Sequence, residues 1–329
     1  MESQLPFEKV ERKIFVKRES ETDRDYGQDP NKRSVEELIN YGIVNLNKSS
    51  GPTSHQISDY VQRILNINKS GHSGTLDPGV TGVLPIALGK ATRIVQTLLN
   101  AGKEYVCLMY IHKPVSEKDI YKIVEKFSGK IKQLPPIKSA IKRRLRTREI
   151  YYLNILEIEG QEVLFQIGCE AGTYIRKIVH DFGQELGTGA HMQQLVRTKA
   201  GPFTDKDWHS LHDLKDAYEF YKEGDENELR KIILSIEKAV SHLPKIWVLD
   251  STVDTICHGA YLSIPGISRL NNFQGNETIA VMTLKDELVA LGTSAMNSDE
   301  IMKKEKGLAV KTTKVFMDRS VYPKFISKE

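Results

Sequence analysis

Apolar and polar residues follow one another along the chain in patterns that predict both strands and helices. Runs typical of strands occupy residues 42–48, 103–111, 150–158 and 162–169, and the run at 103–111 is apolar on both faces, as in a buried central strand. Apolar residues spaced three and four apart predict helices that begin at Thr53 or Ser54, at Ser116 and near Thr173. Because strands and helices do not alternate strictly, the pattern favours an α+β fold over a doubly wound one.

The C-terminal quarter of the chain has a different pattern. Two amphipathic helices are predicted within residues 210–240, and the break that follows, at 241–244, is the predicted domain boundary. Beyond it, short apolar runs alternate with turns rich in Gly and Asn, which is typical of a small β-rich domain. The first 34 residues mix charges with few apolar positions and are predicted to be an extension.

Several classes of protein are excluded by composition. No apolar run approaches the roughly 20 residues that a membrane-spanning helix needs, so we expect a cytoplasmic protein. The three cysteines, Cys107, Cys169 and Cys257, are far apart, which argues against a disulfide framework and against a metal site. Gly89-Lys90 is followed by Ala91 rather than by Ser or Thr, so no phosphate-binding loop is present there. We therefore expect neither a metal nor a cofactor.

The net charge of +4 is small beside 47 basic and 43 acidic residues, so its distribution is more informative than its size. Residues 138–149 carry six basic residues and one acid. We call this segment the basic strip. A charge run is usually a solvated surface, but such local concentration also suits contacts with phosphates. Its basic residues are Lys138, Lys142, Arg143, Arg144, Arg146 and Arg148.

The densest turn chemistry lies in residues 71–79, where two glycines precede an Asp-Pro-Gly sequence. One interpretation is a structural loop in which Asp77 caps its own turn, since these residues are common in turns. The other is a rigid loop that presents the Asp77 carboxylate into a cleft. Periodicity places Tyr105 in the core, and Arg176, one position away from the apolar side of its helix, is by default an exposed arginine.

Three segments, in their order along the chain, resemble the TruB family of pseudouridine synthases. They are GHSGTLDPGVTGVLPIALGKAT from Gly71, KEY from Lys103, and GTYIRKIVHDFGQELGTGAHMQQLVRT from Gly172. The basic strip and the C-terminal segments HGAYLSIPGI and KGLAVKTTKVFM resemble the RNA-guided branch of that family, represented by dyskerin and its archaeal counterpart. The resemblance covers roughly residues 36–325. Serine at position 49 and the turns at 274–277 and 285–287 depart from the family pattern.

The resemblance implies a fold and a reaction. The fold would be a mixed, mainly antiparallel sheet flanked by helices, followed by a small β-rich PUA domain, with domains at 1–34, 35–243 and 244–329. The reaction would isomerise uridine to pseudouridine with Asp77 as nucleophile. Arg176 would pair with Asp77, and Tyr105 would stack on the flipped base. Because no water enters this isomerisation, it needs only one carboxylate, whereas glycoside hydrolysis needs two.

The resemblance also implies the surroundings of the site and its partners. His72, Tyr174, Ile175 and Leu195 are expected to line the substrate pocket, and Lys48 and the basic strip are expected to contact RNA. The expected partners are an H/ACA guide RNA, ribosomal RNA as substrate and the small proteins of that ribonucleoprotein. Two alternatives remain open, namely a stand-alone enzyme acting on the T arm of tRNA and a non-catalytic RNA-binding scaffold.

Overall fold

The structure is a computed structural model that describes residues 3–135 and 144–324. It divides into two compact units. Unit 1 contains the described residues up to Lys9 and those of Ile43–Ile233, and unit 2 contains Val10–Gly42 and the described residues from Leu234 onward. Lys138, Lys142 and Arg143 of the basic strip lie outside the described residues.

The helices of the described residues are mostly short. The α-helices are α1 (Val35–Tyr41), α2 (Ser54–Leu65), α3 (Val95–Asn100), α4 (Glu117–Lys126), α5 (Ile175–Glu185), α6 (Leu211–Lys222), α7 (Asn227–Ile232), α8 (Asp250–Cys257) and α9 (Ser298–Lys303). Short 3-10 helices lie at Pro6–Lys9, Pro30–Lys32, Gly89–Ile94, Ile236–Val240 and Ile264–Gly266.

The strands range from two to fourteen residues in length. They are β1 (Ile14–Val16), β2 (Gly42–Lys48), β3 (Ser70–His72), β4 (Thr81–Leu88), β5 (Lys103–Ile111), β6 (Gly129–Gln133), β7 (Arg146–Glu159), β8 (Glu162–Cys169), β9 (Ala190–Ala200), β10 (Phe203–Thr204), β11 (Ile233–Ser235), β12 (Lys245–Val248), β13 (Leu262–Ser263), β14 (Ile267–Asn271), β15 (Thr278–Met282), β16 (Leu288–Ser294) and β17 (Leu308–Val315).

The sheet of unit 1 is mixed and mainly antiparallel, as the resemblance implies. Its strands follow the order β2-β4-β9-β5-β8-β7-β6, with β3 paired to β4 and β10 paired to β9. Of these pairs only β4 with β9 is parallel. The strand predicted at 103–111 is β5, which lies inside the sheet between β9 and β8. The predicted α+β class is confirmed.

Unit 2 contains the predicted β-rich C-terminal region. Its sheet follows the order β1-β14-β12-β15-β16-β17-β13, in which β12 and β15 pair in parallel and the other pairs are antiparallel. Strand β1 comes from the N-terminal part of the chain and pairs with β14, so residues 10–42 belong to this unit. Its core is built from buried aliphatic side chains such as Ile246, Leu262 and Val281.

Local sequence signals explain how the helices near the candidate site begin and end. A capping box starts α2, in which the Thr53 hydroxyl accepts from the Gln56 N–H and the Gln56 side chain accepts from the Thr53 N–H. The same helix ends at Leu65, and Asn66, which follows it, adopts the left-handed conformation. The apolar stripe of α5 buries Ile178 and Phe182 as its spacing predicts. Within the described ranges, no helix is long and apolar enough to cross a membrane.

Candidate active site

Asp77 lies on the loop between β3 and β4, and Arg176 is the second residue of α5. The Arg176 guanidinium donates through Nη2 to Asp77 Oδ2, although the two residues are 99 positions apart in the chain. Both side chains are about half exposed, at 54% for Arg176 and 55% for Asp77. The structure therefore presents an ion-paired carboxylate at an open surface, where a ligand can reach it.

Hydrogen bonds hold the loop on either side of Asp77. The Ser54 hydroxyl at the start of α2 accepts from Leu76 N–H at 2.9 Å and donates to Leu76 C=O at 3.2 Å. On the other side, Gly51 N–H donates to Pro78 C=O at 2.9 Å. With its neighbours fixed by these bonds, the Asp77 backbone has little freedom, as the second interpretation of this loop requires.

Lys48 also holds this loop, and its burial argues against the expected contact with RNA. Its side chain is fully buried, and its ammonium donates to the carbonyls of Ser49, Pro78 and Val80 at 2.8–3.0 Å. Three acceptors use all three N–H donors of a lysine, so none is left for a phosphate. Burial lowers the pKa of Lys48, and the nearby Arg197 guanidinium lowers it further.

Tyr105 lies on β5. Its position in an apolar run predicted burial in the core, but the residue is only half-buried. Its register partner on β9 is Arg197, whose positive charge acts on the Tyr105 phenol. Burial raises the pKa of the Tyr105 phenol, and the positive charge of Arg197 partly opposes this shift. Tyr105 is therefore a neutral phenol at physiological pH.

Sequence reasoning missed Arg197 and Gln133, both of which are buried next to predicted site residues. The Gln133 side chain accepts from Tyr174 N–H at 3.0 Å and donates to Tyr174 C=O at 3.2 Å, which fixes the backbone directly before α5. No local signal marks either residue, because a polar residue within a strand is normally predicted to face solvent.

The other residues expected in the substrate pocket differ in exposure. Ile175 and Leu195 are almost fully buried, at 3% and 8% exposure, whereas His72 and Tyr174 are partly exposed. The His72 ring lies edge-on to the His55 ring with centroids 4.9 Å apart, and its Nδ1 is buried without a partner among the described residues. Burial is the main cause that lowers the pKa of His72 to about 4, and His55 and Arg197 contribute.

The described arginines of the basic strip differ in their exposure and in their contacts with the protein. Arg144 is exposed and precedes β7. Arg148, on β7, is tied to the protein itself, because its Nη1 donates to Glu170 Oε1 at 3.1 Å. This ion pair competes with any phosphate for Arg148, which makes it a weaker RNA contact than its position in the strip suggests. Arg146 lies opposite Gln133 in the β6/β7 pair.

Four family descriptions match successive parts of the chain. Residues 2–58 match the DKCLD (NUC011) domain, and residues 62–175 match the N-terminal domain of TruB family pseudouridylate synthase. Residues 176–241 match the C-terminal domain of tRNA pseudouridylate synthase B, and residues 244–316 match the PUA domain. Together with the fold and the ion-paired carboxylate, these matches define an RNA pseudouridine synthase joined to a PUA domain.

Curated relatives match this chain over nearly its whole length. A protein of Pyrococcus furiosus named "Probable tRNA pseudouridine synthase B" is 53% identical over 323 residues, which cover 97% of this chain and 95% of that protein. A protein of the same name from Nanoarchaeum equitans is 50% identical over 325 residues, covering 98% of this chain and 93% of that protein. The chain belongs to the TruB family of pseudouridine synthases.

Solved structures specify the branch of the family. The protein in a structure described as a Cbf5-Nop10-Gar1 complex superposes with a TM-score of 0.93 at 52% identity and 98% coverage of both chains. The protein in a structure described as an H/ACA RNP bound to a substrate RNA superposes with a TM-score of 0.92 at 50% identity, covering 98% of this chain and 100% of that chain. The resemblance to the RNA-guided branch is confirmed.

Proposed function

We propose that this chain is the catalytic subunit of an H/ACA ribonucleoprotein, in which it isomerises a guide-selected uridine of ribosomal RNA to pseudouridine. The observation that carries the site assignment is the ion pair between Asp77 and Arg176 at an open surface. The likeness to chains solved within H/ACA assemblies supports the guide RNA, a substrate RNA and small proteins such as Nop10 and Gar1 as the partners.

In the proposed reaction Asp77 is the nucleophile. The N1–C1′ bond of the uridine breaks, the detached uracil turns, and a C5–C1′ bond forms, while the C5 proton is lost and N1 gains one. No atom is added or removed overall, which agrees with a single carboxylate and with no second acid to activate water. Attack at the sugar C1′ and attack at C6 of the base both use the same exposed carboxylate. Arg176 favours the ionised carboxylate that either attack requires.

Tyr105 is proposed to stack against the target base after it leaves the RNA helix. An enzyme acting on a base within a duplex has to extrude it, and stacking on an aromatic ring compensates for part of the lost stacking. Tyr105 is half-buried on β5, which supports this role because the residue is not closed off from solvent. Partly exposed His72 and Tyr174, with Ile175 and Leu195 behind the surface, are proposed as the pocket.

The remaining assignments concern domains and location. We propose an N-terminal extension at 1–34, a catalytic domain at 35–243 and a PUA domain at 244–329 that holds the guide RNA by its shape and its single-stranded end. Arg144, Arg146 and the other residues of the basic strip are proposed to grip RNA through phosphates. A cytoplasmic location is also proposed, because the curated relatives come from archaea, whose cells have no nucleus.

A second function is favoured by one specific observation, the name of the curated relatives, which refers to tRNA. A stand-alone enzyme would modify the T arm of tRNA without a guide. The experiment that separates the two functions maps pseudouridine in ribosomal RNA and in tRNA, each incubated with the full chain, with and without guide RNA and the small proteins. Guide-dependent product in ribosomal RNA supports the proposal, and full activity on tRNA without guide or partners contradicts it.

The same assay tests the nucleophile and the scaffold alternative. Asp77→Asn is expected to remove product formation while the variant still binds guide RNA. Asp207→Asn, at another exposed position of unit 1, is the matched control and should retain activity. Undiminished product with Asp77→Asn would remove Asp77 from the mechanism, and an inactive wild-type complex would favour the scaffold.

A further inference from the structure

Arg197 is a buried cation without an acidic partner. Its residue exposure is 1%, and across residues 3–135 and 144–324 no carboxylate lies within ion-pair distance of it. An arginine keeps its charge in a protein, and a buried charge is costly unless hydrogen bonds compensate for the lost water. Another buried arginine, Arg33, has such a partner, because its guanidinium donates twice to the Glu237 carboxylate.

Arg197 donates instead to neutral oxygens on both sides of the loop that carries Asp77. Its Nε donates to Val83 C=O at 2.7 Å, and its Nη2 donates to Gly74 C=O at 3.2 Å. Gly74 is three residues before Asp77, and Val83 is six residues after it. A single planar guanidinium therefore connects the loop before Asp77 to the strand β4 that follows it.

Arg197 also faces Tyr105, on a different strand, and the two side chains interact electrostatically. Arg197 is the register partner of Tyr105 across the antiparallel β5/β9 pair and of Gly82 across the parallel β4/β9 pair. The β4/β9 approach is so close that a Cβ at Gly82 would clash with the Arg197 carbonyl oxygen. Arg197 therefore lies where the Asp77 loop and the Tyr105 strand meet.

We propose that Arg197 is a positioning residue for pseudouridine formation, which holds the Asp77 loop and the Tyr105 ring in one fixed arrangement. This inference rests on the proposed function, because it assumes that Asp77 attacks and that Tyr105 contacts the base. A shift of about 1 Å between reacting groups lowers a rate by up to about 100-fold, so a shared anchor for the two groups has catalytic value.

Arg197→Lys tests the proposal, because lysine keeps the positive charge and loses the planar fork that reaches several acceptors at once. The full chain is assembled with guide RNA and partner proteins, and the single-turnover rate at saturating substrate RNA and the substrate affinity are measured separately. Tyr105 is followed in the same variants by the NMR shift of ¹³Cζ-labelled tyrosine, assigned with Tyr105→Phe. Arg33→Lys, a buried arginine of unit 2, is the matched control.

We expect Arg197→Lys to lower the saturated rate by about 10- to 100-fold, with substrate affinity changed by less than about threefold, and to shift the Tyr105 ¹³Cζ resonance. Arg33→Lys should leave that resonance in place. In a Tyr105→Phe background, the additional loss caused by Arg197→Lys should be smaller than in the wild type, because part of it acts through the hydroxyl.

An unchanged rate in folded Arg197→Lys would overturn the proposal, as would a lower rate with an unshifted Tyr105 resonance, which would indicate a structural role alone. If Arg197→Lys does not fold, NMR on the wild-type chain decides, since contacts between the Arg197 guanidinium protons and the Tyr105 ring are required and their absence overturns the proposal. Failure of the proposed function is recognised separately, by a wild-type complex that forms no pseudouridine.

Discussion

Arg176 donates to the Asp77 carboxylate from the first turn of α5, so a loop and a helix 99 residues apart in the chain form one ion pair. The pair is half exposed, which limits what it contributes to folding, since ion pairs at the surface contribute only about 0–1 kcal/mol. In the proposed function, the pair orients the carboxylate for a substrate. The arrangement should therefore matter far more for the rate than for stability.

The first prediction concerns this pair. Arg176→Lys keeps a positive charge but loses the planar guanidinium geometry, so we expect the single-turnover rate to fall by about 10- to 100-fold. The free energy of unfolding should change by less than about 1 kcal/mol. Pseudouridine formation in the assembled complex and urea unfolding measure the two effects. Arg63→Lys, at an exposed position on α2, is the control. Equal rates for both variants would contradict the role of Arg176.

The second prediction separates a structural role of Lys48 from an RNA contact. Lys48→Met leaves the carbonyls of Ser49, Pro78 and Val80 without their ammonium donor, and buried acceptors without partners cost about 1–3 kcal/mol each. We expect the free energy of unfolding, measured with urea, to fall by about 3 kcal/mol. The affinity for guide RNA should be nearly unchanged. Lys69→Met, which removes an exposed lysine, controls for the loss of one charge. A large loss of RNA affinity at unchanged stability would restore the original expectation for Lys48.

The third prediction follows from the pKa of His72, which burial lowers from 6.5 to about 4. Between these values the unfolded chain binds a proton at this position and the folded protein does not, so stability rises with pH across this window and falls on acidification. His72→Gln should make the pH dependence of the free energy of unfolding shallower between pH 4 and pH 6.5. Urea unfolding at a series of pH values measures this, and the exposed His212→Gln controls for loss of a histidine. Identical slopes for wild type and His72→Gln would refute it.

The fourth prediction ranks two arginines of the basic strip. Arg144 is exposed, whereas Arg148 is bound to Glu170. Arg144→Ala should weaken RNA binding and lower the slope of log affinity against log salt by about one, as expected for the loss of one phosphate contact. Arg148→Ala should change that slope less. Binding titrations at several salt concentrations check the ranking, and a larger effect at Arg148 would show that RNA displaces Glu170.

Local structure was predictable from the sequence where it depends on neighbouring residues. The apolar run at 103–111 predicted β5, and the stripe of α5 was predicted from its spacing. Tyr105 shows the limit of this reasoning, since periodicity placed it in the core, whereas the ring is half-buried beside Arg197. Periodicity reports the face of a strand, but it does not report what lies opposite that face.

The sequence by itself determined the order of the elements, the α+β class, the likeness to the TruB family and the residue types that the reaction needs. Only the tertiary structure decided which charged residues are buried: Lys48, expected at the RNA surface, and Arg197, which no pattern marks, both lie inside. The reason is that such burial depends on contacts between distant segments. The bond from Arg197 to Val83 spans 114 residues, and it exists only because β4 and β9 pair side by side.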